Sequence, residues 1–443
     1  MSRVEPRVLR GFRDYLPEEM IPRQRMIRKL ESGFESFGFV PLQTPAIEYS
    51  DILLGKYGEE GSKLLYRFRD EGDRDVALRY DLTVPLARLV AQYPDLPRPF
   101  RRYQIAPVWR AEKPARGRFR EFVQCDGDIV GSADFAADAE ILQLGCALLD
   151  ALGVARYRIR LNHRKVLSGL SATAGIAPEA EAGVLRTIDK LPKIGAEATR
   201  RLLSEENRLE AAQIDKVFDF LAIAGTNEEV LHRLDGFFAA GGPGCDGCDS
   251  LRKILGILGP LGLLDRVSID LSIARGLDYY TGTVYETFLE DLPGFGAVMS
   301  GGRYDGLIGT FAREEIPAVG ISLGIDRLLA GLIELKLLDG GGAGVAPVIV
   351  TTFDADRAAD AARAAAAVRA AGLSCELYPG FAKLAKQFKY AERRGARWVI
   401  VVGPDEAARG EVQVKEMATK KQEAVPLDRL GAYLRGLTGA SAD

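Results

Sequence analysis

Arginines are concentrated in residues 101–128, RRYQIAPVWRAEKPARGRFREFVQCDGD, where two strand-like runs flank a loop around a single glycine. The runs predict antiparallel strands that hold Arg110 and Arg120 rigidly, and the connecting loop carries Arg116 and Arg118. Guanidinium groups are always charged and fork onto phosphate oxygens, so the pattern favours a site for a nucleoside triphosphate. The same residues are compatible with a hairpin whose tip is solvated and salt-bridged.

Two further residues of this hairpin suit a nucleotide base. Glu112 supplies an acceptor for an exocyclic amine, and Phe122 supplies a flat face for a purine. Together with the arginines they predict a phosphate subsite and a base subsite in one place.

The segments before the hairpin predict the elements that position it. Residues 18–37 have the apolar spacing of an amphipathic helix, and the segment FGFVPLQTPAIE, residues 37–48, reads as a strand in which Pro41 and Pro45 must lie at an edge or an interface. Residues 76–91 predict a short strand, then Asp81 and Thr83 at its end, then a helix that opens near proline.

The segments after the hairpin predict further helices and strands. Residues 132–152 predict a helix with Ser132 as its cap and Gly153 as its stop. Residues 164–264 are rich in alanine and leucine with helical periodicity, as in an inserted helical subdomain, and strand signals return at Val267. We therefore expect one domain over residues 1–338, a glycine-rich linker at 339–345 and an α/β domain over 346–443.

Composition is that of a globular protein. The chain has 443 residues, 47% of them hydrophobic and 27% charged, and a net charge of only −3. These values exclude wholesale disorder and an indiscriminate nucleic-acid binder, and no apolar run approaches the roughly 20 residues that span a bilayer. Five scattered cysteines and no signal-like N-terminal segment predict a cytoplasmic protein without membrane association.

Histidine and cysteine chemistry is not favoured. The chain has two histidines, and His163 follows an alternating strand whose end it marks, which predicts a structural role. Cys245 and Cys248 form half of a zinc site at most, so we interpret them as part of an incidental glycine-rich loop and predict no protein-held metal.

The order of several motifs resembles that of histidyl-tRNA synthetases, a class II family. The motifs are GFRDYLP, LRYDLTVPLAR, the arginine hairpin, RGLDYYTGTVYE, GGRYDGL and GISLGIDRL. The block RGLDYYTGTVYE is the most specific of them, and the resemblance covers nearly the whole chain. It implies an α+β fold with an antiparallel-sheet catalytic domain, a helical insertion and a C-terminal α/β anticodon-binding domain.

The resemblance also implies roles in ATP-dependent ligation of L-histidine to tRNA(His) through a histidyl-adenylate. Arg110 and Arg275 would act at the α-phosphate, Gln124 would guide a proton in the transfer step, and Mg²⁺ would accompany ATP. Taken alone, Arg275 could equally be a loop arginine paired with Asp278 or Glu286. The ATP site would comprise Arg110, Glu112, Arg118, Arg120, Phe122, Arg275 and Arg327.

The implied histidine site combines carboxylates, tyrosines and arginines. Its members are Asp81, Thr83, Arg110, Gln124, Asp128, Arg275, Tyr279, Tyr280 and Tyr304. Asp128 and Tyr280 would read the imidazole ring. Aspartates stand at 81 and 128 where some relatives carry glutamate, which implies a pocket of different depth.

The implied tRNA contacts lie in two places. Arg116 would meet the acceptor end, and the basic face Lys383, Lys386, Lys389 and Arg393 would meet the anticodon, although a lysine face is more often merely solvated. The segment around Pro41 resembles a dimer-forming element, so we expect a homodimer.

Two alternatives remain at this point. One is the synthetase-like regulatory subunit of ATP phosphoribosyltransferase, which binds histidine without charging tRNA. The other is a related synthetase for threonine or proline. The C-terminal domain and the intact RGLDYYTGTVYE block favour the histidyl enzyme.

Overall fold

The computed structural model describes residues 4–57, 61–114, 119–238, 241–274, 279–338 and 344–438. The chain divides into two compact units, one formed by Met1–Asp14 and Met26–Leu338 and the other by Tyr15–Arg25 and Asp339–Asp443. Each unit has its own sheet and its own apolar core. None of the described helices is long and apolar enough to cross a membrane.

In the larger unit, strands and helices alternate along the chain both before and after a long helical stretch. Its strands are β1 (Val40–Pro41), β2 (Ile47–Tyr49), β3 (Arg67–Arg69), β4 (Asp75–Leu78), β5 (Phe100–Trp109), β6 (Glu121–Val130), β7 (Tyr157–His163), β8 (Val267–Ile269), β9 (Thr283–Leu289), β10 (Met299–Arg303) and β11 (Ala318–Gly324). Its helices are α1 (Pro17–Ser36), α2 (Ser50–Leu53), α3 (Thr83–Gln92), α4 (Phe135–Ala151), α5 (Arg164–Ala174), α6 (Pro178–Glu205), α7 (Ala211–Leu221), α8 (Asn227–Phe237), α9 (Pro243–Leu258) and α10 (Ile325–Glu334). Of α1, only the residues from Met26 onward belong to this unit.

A large sheet is the centre of this unit. Its strands run in the order β1-β5-β6-β11-β10-β9-β7-β8, and the pairs are antiparallel except β1 with β5 and β7 with β8. The predicted hairpin is confirmed, since β5 ends at Trp109 and β6 begins at Glu121. Side chains alternate between the faces of a strand, so one face of β6 is available to a core and the other to a site.

The core side of the sheet is covered by helix α1. Met26, Leu30 and Phe34, which the sequence places one turn apart, are all fully buried, and the Phe34 ring stacks on Tyr103 at 5.2 Å between centroids. A Cβ at Gly127 would lie 2.3 Å from the Phe34 ring, so this close approach requires glycine. The predicted helix is therefore confirmed, and its apolar stripe fixes one face of β6.

A second, small sheet lies beside the first, with strand order β2-β4-β3. The predicted strand-to-helix passage is confirmed, because β4 leads into α3 and Pro85 is in the first turn of that helix, where its missing N–H is tolerated. Pro41 lies opposite Tyr103 in β1, the terminal strand of the large sheet, which confirms its predicted edge position.

Helices α5 to α9 confirm the predicted helical character of the stretch after residue 164. The prediction that Cys245 and Cys248 lie in a loop was wrong, because α9 begins at Pro243 and contains both. Gly242 has a φ of 95°, so the chain turns at that residue, and Pro243 fits the first turn of the helix that follows. The helix therefore starts earlier than the glycine-rich sequence suggests.

The predicted cap of helix α4 was also wrong. The residue at the N-cap is Asp134 and not Ser132. The backbone carbonyls of Ser132 and Asp134 both accept hydrogen bonds from the Arg303 guanidinium, at 2.8 and 3.1 Å, so a distant side chain holds this turn. The predicted stop is confirmed, since Gly153 follows the helix with a φ of 81°.

The smaller unit has a sheet of mixed direction. Its strands are β12 (Val348–Val350), β13 (Cys375–Leu377), β14 (Trp398–Val401), β15 (Glu411–Glu416) and β16 (Gln422–Pro426), in the order β13-β12-β14-β15-β16. Its helices are α11 (Ala358–Ala370), α12 (Leu384–Arg393), α13 (Pro404–Arg409) and α14 (Leu430–Thr438). The first three strands in this order are parallel and the rest antiparallel, which confirms the alternating strands and helices predicted for this region.

Candidate active site

A cavity of ≈ 390 Å³ lies on the face of the large sheet opposite α1. Ser322, Ser300 and Glu286 form its floor and stand directly opposite one another on β11, β10 and β9. Helix α10 starts immediately after β11 and brings Arg327 to the wall. The sheet therefore provides a rigid base on which polar side chains from several strands converge.

Most of the predicted site residues meet in this cavity. Its wall includes Asp81, Thr83, Arg110, Glu112, Phe122, Gln124, Tyr279, Tyr280 and Arg327. Arg120, Asp128 and Tyr304 are not among the wall residues. The predicted residues Arg116, Arg118 and Arg275 lie outside the described part of the chain.

Arg110 is held in one position at the end of β5. Its Nε donates to the carbonyl of Tyr80 at 3.1 Å, and its Nη2 donates to Gln124 Oε1 at 3.4 Å. The guanidinium carbon lies 4.3 Å from the centre of the Tyr80 ring and 5.0 Å from that of Phe122. A guanidinium fixed by rings and hydrogen bonds presents its remaining N–H groups to a ligand without reorganisation.

Asp81 is a buried acid in the wall of the cavity. Its Oδ1 accepts from the Tyr57 hydroxyl at 3.0 Å and from the Val84 N–H at 3.1 Å, and its Oδ2 accepts from the Tyr279 hydroxyl at 3.4 Å. Burial raises the pKa of Asp81, and the hydrogen bonds and the charge of Arg110 oppose that rise. A carboxylate that has lost water in this way favours a cationic ligand such as an ammonium group.

Tyr280 forms the wall between the floor and the end of β6. Its ring lies against Gly302, where a Cβ would come within 2.8 Å of a ring carbon. Burial is the main cause that raises the pKa of its hydroxyl, followed by the charges of Asp126 and Asp128. The hydroxyl therefore stays protonated and points into a region of negative charge.

Asp128 is not a wall residue of the cavity, and two buried side chains contact its carboxylate. Its Oδ2 is 2.6 Å from Nη2 of Arg102, with both side chains almost completely buried, and its Oδ1 accepts a short hydrogen bond from the Tyr304 hydroxyl. Burial raises the pKa of Asp128, while Arg102 and then Tyr304 lower it. The sequence prediction did not include Arg102, because a single arginine in a strand gives no sign that it will be buried.

Asp126 was also absent from the predicted set. It is 2% exposed and lies opposite Ser322 on β11, and burial raises its pKa to about 7. Its position two residues after Gln124 in a strand would have placed it on the cavity face, so the period of two was the available signal.

Arg120 braces the hairpin from outside the cavity. Its Nε donates to the Glu112 carbonyl at 3.1 Å and its Nη1 to the Arg10 carbonyl at 3.3 Å. Arg327 lies in the wall and donates to the Ala297 carbonyl at 3.0 Å. The structure thus fixes the backbone near Glu112 and the direction of the Arg327 side chain.

The predicted basic face of the smaller unit lies on and next to helix α12. Lys383, Lys386, Lys389 and Arg393 are all exposed. The opposite face is anchored by Gln387, which is fully buried, donates to the carbonyls of Thr352 and Ala382 and accepts from the Thr352 N–H. The helix is thus held on one side and presents its cations on the other.

The family model of histidyl-tRNA synthetases matches residues 11–328, which include every wall residue of the cavity. The chain belongs to the histidyl-tRNA synthetase family. A relative named histidine–tRNA ligase from Rhodopirellula baltica is 45% identical over 426 residues, 95% of this chain and 96% of its own. The resemblance seen in the sequence is therefore confirmed.

Solved structures agree with the family. The crystal structure of histidyl-tRNA synthetase from Nostoc sp. PCC 7120 matches with a TM-score of 0.87 and 32% identity, covering 98% of this chain and 100% of that one. A protein from Bacillus halodurans described as an ATP phosphoribosyltransferase regulatory subunit/histidyl-tRNA synthetase matches with a TM-score of 0.72 and 23% identity, over 86% of this chain and 95% of that one, which shows a shared fold. The predicted class II α+β fold is confirmed.

The smaller unit has its own family match. Residues 345–437 match the model of the anticodon-binding domain. Helix α12 and its basic face lie within that range. The histidyl-tRNA synthetase family model thus covers the cavity-bearing part of this chain, and the anticodon-binding model covers residues 345–437.

Proposed function

We propose that this chain is a histidine–tRNA ligase that activates L-histidine with ATP and transfers the histidyl group to tRNA(His). The single observation that carries this proposal is the cavity in which Arg110, Gln124 and Asp81 converge within the part of the chain that matches the histidyl-tRNA synthetase family. We assign catalysis to residues 1–338 and anticodon binding to residues 346–443, with 339–345 as the linker.

In the first step a carboxylate oxygen of histidine attacks the α-phosphorus of ATP. The bond from that phosphorus to the bridging oxygen of the β-phosphate breaks, and pyrophosphate leaves. Arg110 neutralises the charge that builds up on the α-phosphate and aligns the carboxylate, because its guanidinium is already fixed between two rings. Phe122 stacks on the adenine, Glu112 accepts from its amine, and Arg327 binds the outer phosphates.

Three predicted residues that lie outside the described ranges keep their proposed roles. Arg275 acts at the α-phosphate, and Arg118 acts with Arg327 on the outer phosphates. Arg116 meets the acceptor end of tRNA. Arg120 supports the ATP site by holding the backbone of Glu112.

Mg²⁺ accompanies ATP in this proposal. A magnesium ion bound to a nucleotide is usually held by phosphate oxygens, water and one or two carboxylates. Of the wall residues, Glu286 and Asp326 would hold the ion together with the phosphates. The ion supplies charge neutralisation to the phosphates.

Histidine binds with its polar groups at the two ends of the cavity. Its ammonium group lies between Asp81, Thr83 and Gln124, and Tyr279 closes that side through its hydrogen bond to Asp81. Tyr280 and Asp128 read its imidazole ring, and the Tyr304 hydroxyl orients Asp128 through a hydrogen bond to Oδ1. A buried site of this kind rejects amino acids that leave its polar groups unpaired.

In the second step a ribose hydroxyl of the terminal adenosine attacks the carbonyl carbon of the adenylate. The bond between that carbon and the phosphate oxygen breaks, and AMP leaves. Gln124, which touches Arg110 and Ser322, guides the hydroxyl proton towards the phosphate. The anticodon contacts Lys383, Lys386, Lys389 and Arg393 through the charge of its phosphates.

We also propose a cytoplasmic homodimer whose interface includes the segment around Pro41. Val40, Ile47 and Tyr49 support this, because each is about half exposed on short strands in that segment. Sedimentation of the purified chain tests the dimer.

The function is tested by two assays on the same preparation. Histidine-dependent exchange of labelled pyrophosphate into ATP reports adenylate formation, and charging of tRNA(His) reports transfer. Binding of histidine without exchange or charging would favour the regulatory-subunit alternative. Exchange driven by threonine or proline would replace the proposed substrate.

A further inference from the structure

We propose that Tyr57 is a positioning residue for adenylate formation, which fixes the Asp81 carboxylate with its hydroxyl and supports Arg110 with its ring through Tyr80. Tyr57 follows the short helix α2 in the chain and is not a wall residue of the cavity. The inference rests on the proposed function, because Asp81 and Arg110 are the groups to which we assign the amino and carboxylate ends of the substrate.

Tyr57 contacts two consecutive residues of the site from outside the cavity. Its side chain is buried, its hydroxyl donates to Asp81 Oδ1 at 3.0 Å, and its ring centre lies 4.6 Å from that of Tyr80. Tyr80 and Asp81 both line the cavity, whereas Tyr57 does not. Tyr57 can therefore act on a ligand only through these two neighbours.

The Tyr57 hydroxyl determines which oxygen of Asp81 is left for a ligand. Tyr57 and the Val84 N–H, at 3.1 Å, both donate to Oδ1. Among the described residues, Oδ2 accepts a hydrogen bond only from the Tyr279 hydroxyl, at 3.4 Å. An ammonium group can thus bind Oδ2 while the two donors on Oδ1 hold the carboxylate in a fixed orientation.

The same hydroxyl favours the charged form of Asp81, which is the form that binds an ammonium group. Burial raises the pKa of Asp81, and the Val84 N–H and then the Tyr57 hydroxyl are the largest influences that lower it again. Burial also raises the pKa of Tyr57, so its hydroxyl stays protonated and remains a donor. The charged and titratable groups that face Asp81 are Tyr57, Arg110, Tyr279, Tyr280 and Asp126. Loss of the Tyr57 hydroxyl alone should therefore raise the pKa of Asp81.

The ring of Tyr57 acts on the group at the other end of the substrate. It packs against the Tyr80 ring, and the Arg110 guanidinium carbon lies 4.3 Å from the centre of that ring. The Tyr80 carbonyl also accepts from Arg110 Nε at 3.1 Å. Because protein interiors are close-packed, removal of the Tyr57 ring leaves a space into which Tyr80 can move, and Arg110 is then held less firmly.

Two substitutions separate the role of the hydroxyl from that of the ring. Tyr57→Phe keeps the ring, so we expect the KM for histidine in pyrophosphate exchange to rise about 10-fold, with the KM for ATP and the rate at saturating histidine nearly unchanged. Tyr57→Leu removes the ring as well and should also slow single-turnover formation of the adenylate about 10-fold. Equal single-turnover rates in the two variants would overturn the role of the ring.

The pH dependence of Tyr57→Phe tests the link to Asp81. Without the hydroxyl, Asp81 takes up a proton at a higher pH, so the acid limb of kcat/KM for histidine should move to higher pH. The imidazole of the substrate titrates equally in both proteins and does not contribute to the difference. An acid limb at the wild-type position would overturn the inference.

Two competitive inhibitors show which end of the substrate is affected. Histidinol keeps the ammonium group and lacks the carboxylate, and 3-(imidazol-4-yl)propionate keeps the carboxylate and lacks the ammonium group. Tyr57→Phe should raise the inhibition constant of histidinol about 10-fold and leave that of the propionate nearly unchanged. Equal weakening of both inhibitors would mean a general loss of structure and would overturn the inference.

Tyr157→Phe is the matched control. Tyr157 belongs to the same unit, is buried, is not a wall residue, and donates its hydroxyl to Asp150 at 3.2 Å. We expect a lower melting temperature with an unchanged KM for histidine and an unchanged pH profile. If Tyr157→Phe reproduced the rise in KM, the effect would belong to any buried tyrosine and the inference would fail.

A structure of the wild-type protein with histidine decides the matter if Tyr57→Phe does not fold. An ammonium group within about 3.2 Å of Asp81 Oδ2, with the Tyr57 hydroxyl on Oδ1, supports the inference. A Tyr57 hydroxyl turned away from Asp81, or an ammonium group bound elsewhere, overturns it. A wild-type protein without histidine-dependent exchange would instead overturn the proposed function, so the two failures are distinguishable.

Discussion

The cavity of the larger unit and helix α12 of the smaller unit both carry the positive charge that we assign to polyanions, but they hold it differently. Arg110 is fixed by two hydrogen bonds and lies over two aromatic rings. Lys383, Lys386 and Lys389 are exposed on the surface of their unit. The first arrangement suits a reaction, and the second suits reversible binding.

The difference follows from what solvent does to a charge. A fixed guanidinium in a site shielded from water stabilises a transition state without having to reorganise, so its removal affects the rate. Exposed ammonium groups remain hydrated and are screened by salt, so their removal weakens binding by a smaller, salt-dependent amount.

Replacement of Arg110 should have the largest effect. Arg110→Lys keeps the charge but loses the planar fork and the contact with Tyr80, so we expect adenylate formation to slow about 10³-fold. Single-turnover formation of histidyl-adenylate is the measurement. Arg101→Lys, on the same strand but paired with Glu140 outside the wall, is the control and should stay within a few-fold of wild type. An Arg110→Lys rate close to that of the control would contradict a role for fixed charge.

Arg275→Ala should slow the same step about 100-fold, because one transition-state contact is worth on the order of 3 kcal/mol. The expected loss is in the rate constant of the chemical step, while binding of histidine changes little. Pre-steady-state kinetics separate the two. Near-normal adenylate formation would mean that Arg275 is only a loop arginine.

The basic face of α12 should show the weaker kind of effect. Replacement of Lys383, Lys386 and Lys389 together by alanine should raise the KM for tRNA about 10-fold and flatten its salt dependence, with pyrophosphate exchange unchanged. The exposed pair Lys420 and Lys421, changed to alanine, is the control for net charge. Equal effects of the two variants would leave the basic face without a specific role.

The smallest expected effect is on the free energy of unfolding, and it comes from the difference between a buried histidine and an exposed one. His163 is buried, its Nδ1 accepts from the Lys165 N–H at the start of α5, and burial lowers its pKa to about 4. The unfolded chain therefore binds a proton at higher pH than the folded one, and stability falls as pH decreases. Between pH 6.5 and pH 5.5 the loss should be about 1 kcal/mol.

Chemical denaturation at these two pH values measures this loss. His163→Asn keeps a capping side chain and should remove the pH dependence, whereas His232→Asn, at an exposed position, should leave it intact. If both variants behave like wild type, His163 does not determine the acid sensitivity.

Much of the fold and part of the site could be predicted from the sequence, because their signals are local. The hairpin of β5 and β6, the buried stripe of α1 and the placement of Asp81 at the start of α3 each follow from spacing within a single segment. The arginine content of the hairpin similarly pointed to Arg110, which lies in the cavity.

The features that were missed depend on partners far away in the sequence. The turn before α4 is set by Arg303, which lies more than a hundred residues later. Asp126 stands out only once β11 is placed beside β6, and Arg102 only once the register of the hairpin places it opposite Asp128 in the buried interior. Local periodicity identifies the face of a strand but not which buried carboxylate finds a partner.

Gly302 and Gly320 leave no room for any side chain, because Tyr280 and Asp128 occupy the space above them. The Tyr280 side chain over Gly302 therefore defines this boundary of the amino-acid pocket, and no substitution at the glycines beneath could move it without a clash. Protein engineers who wish to load a non-natural amino acid should therefore begin with Ser300 and Ser322, the neighbouring positions where a different side chain would face the open cavity.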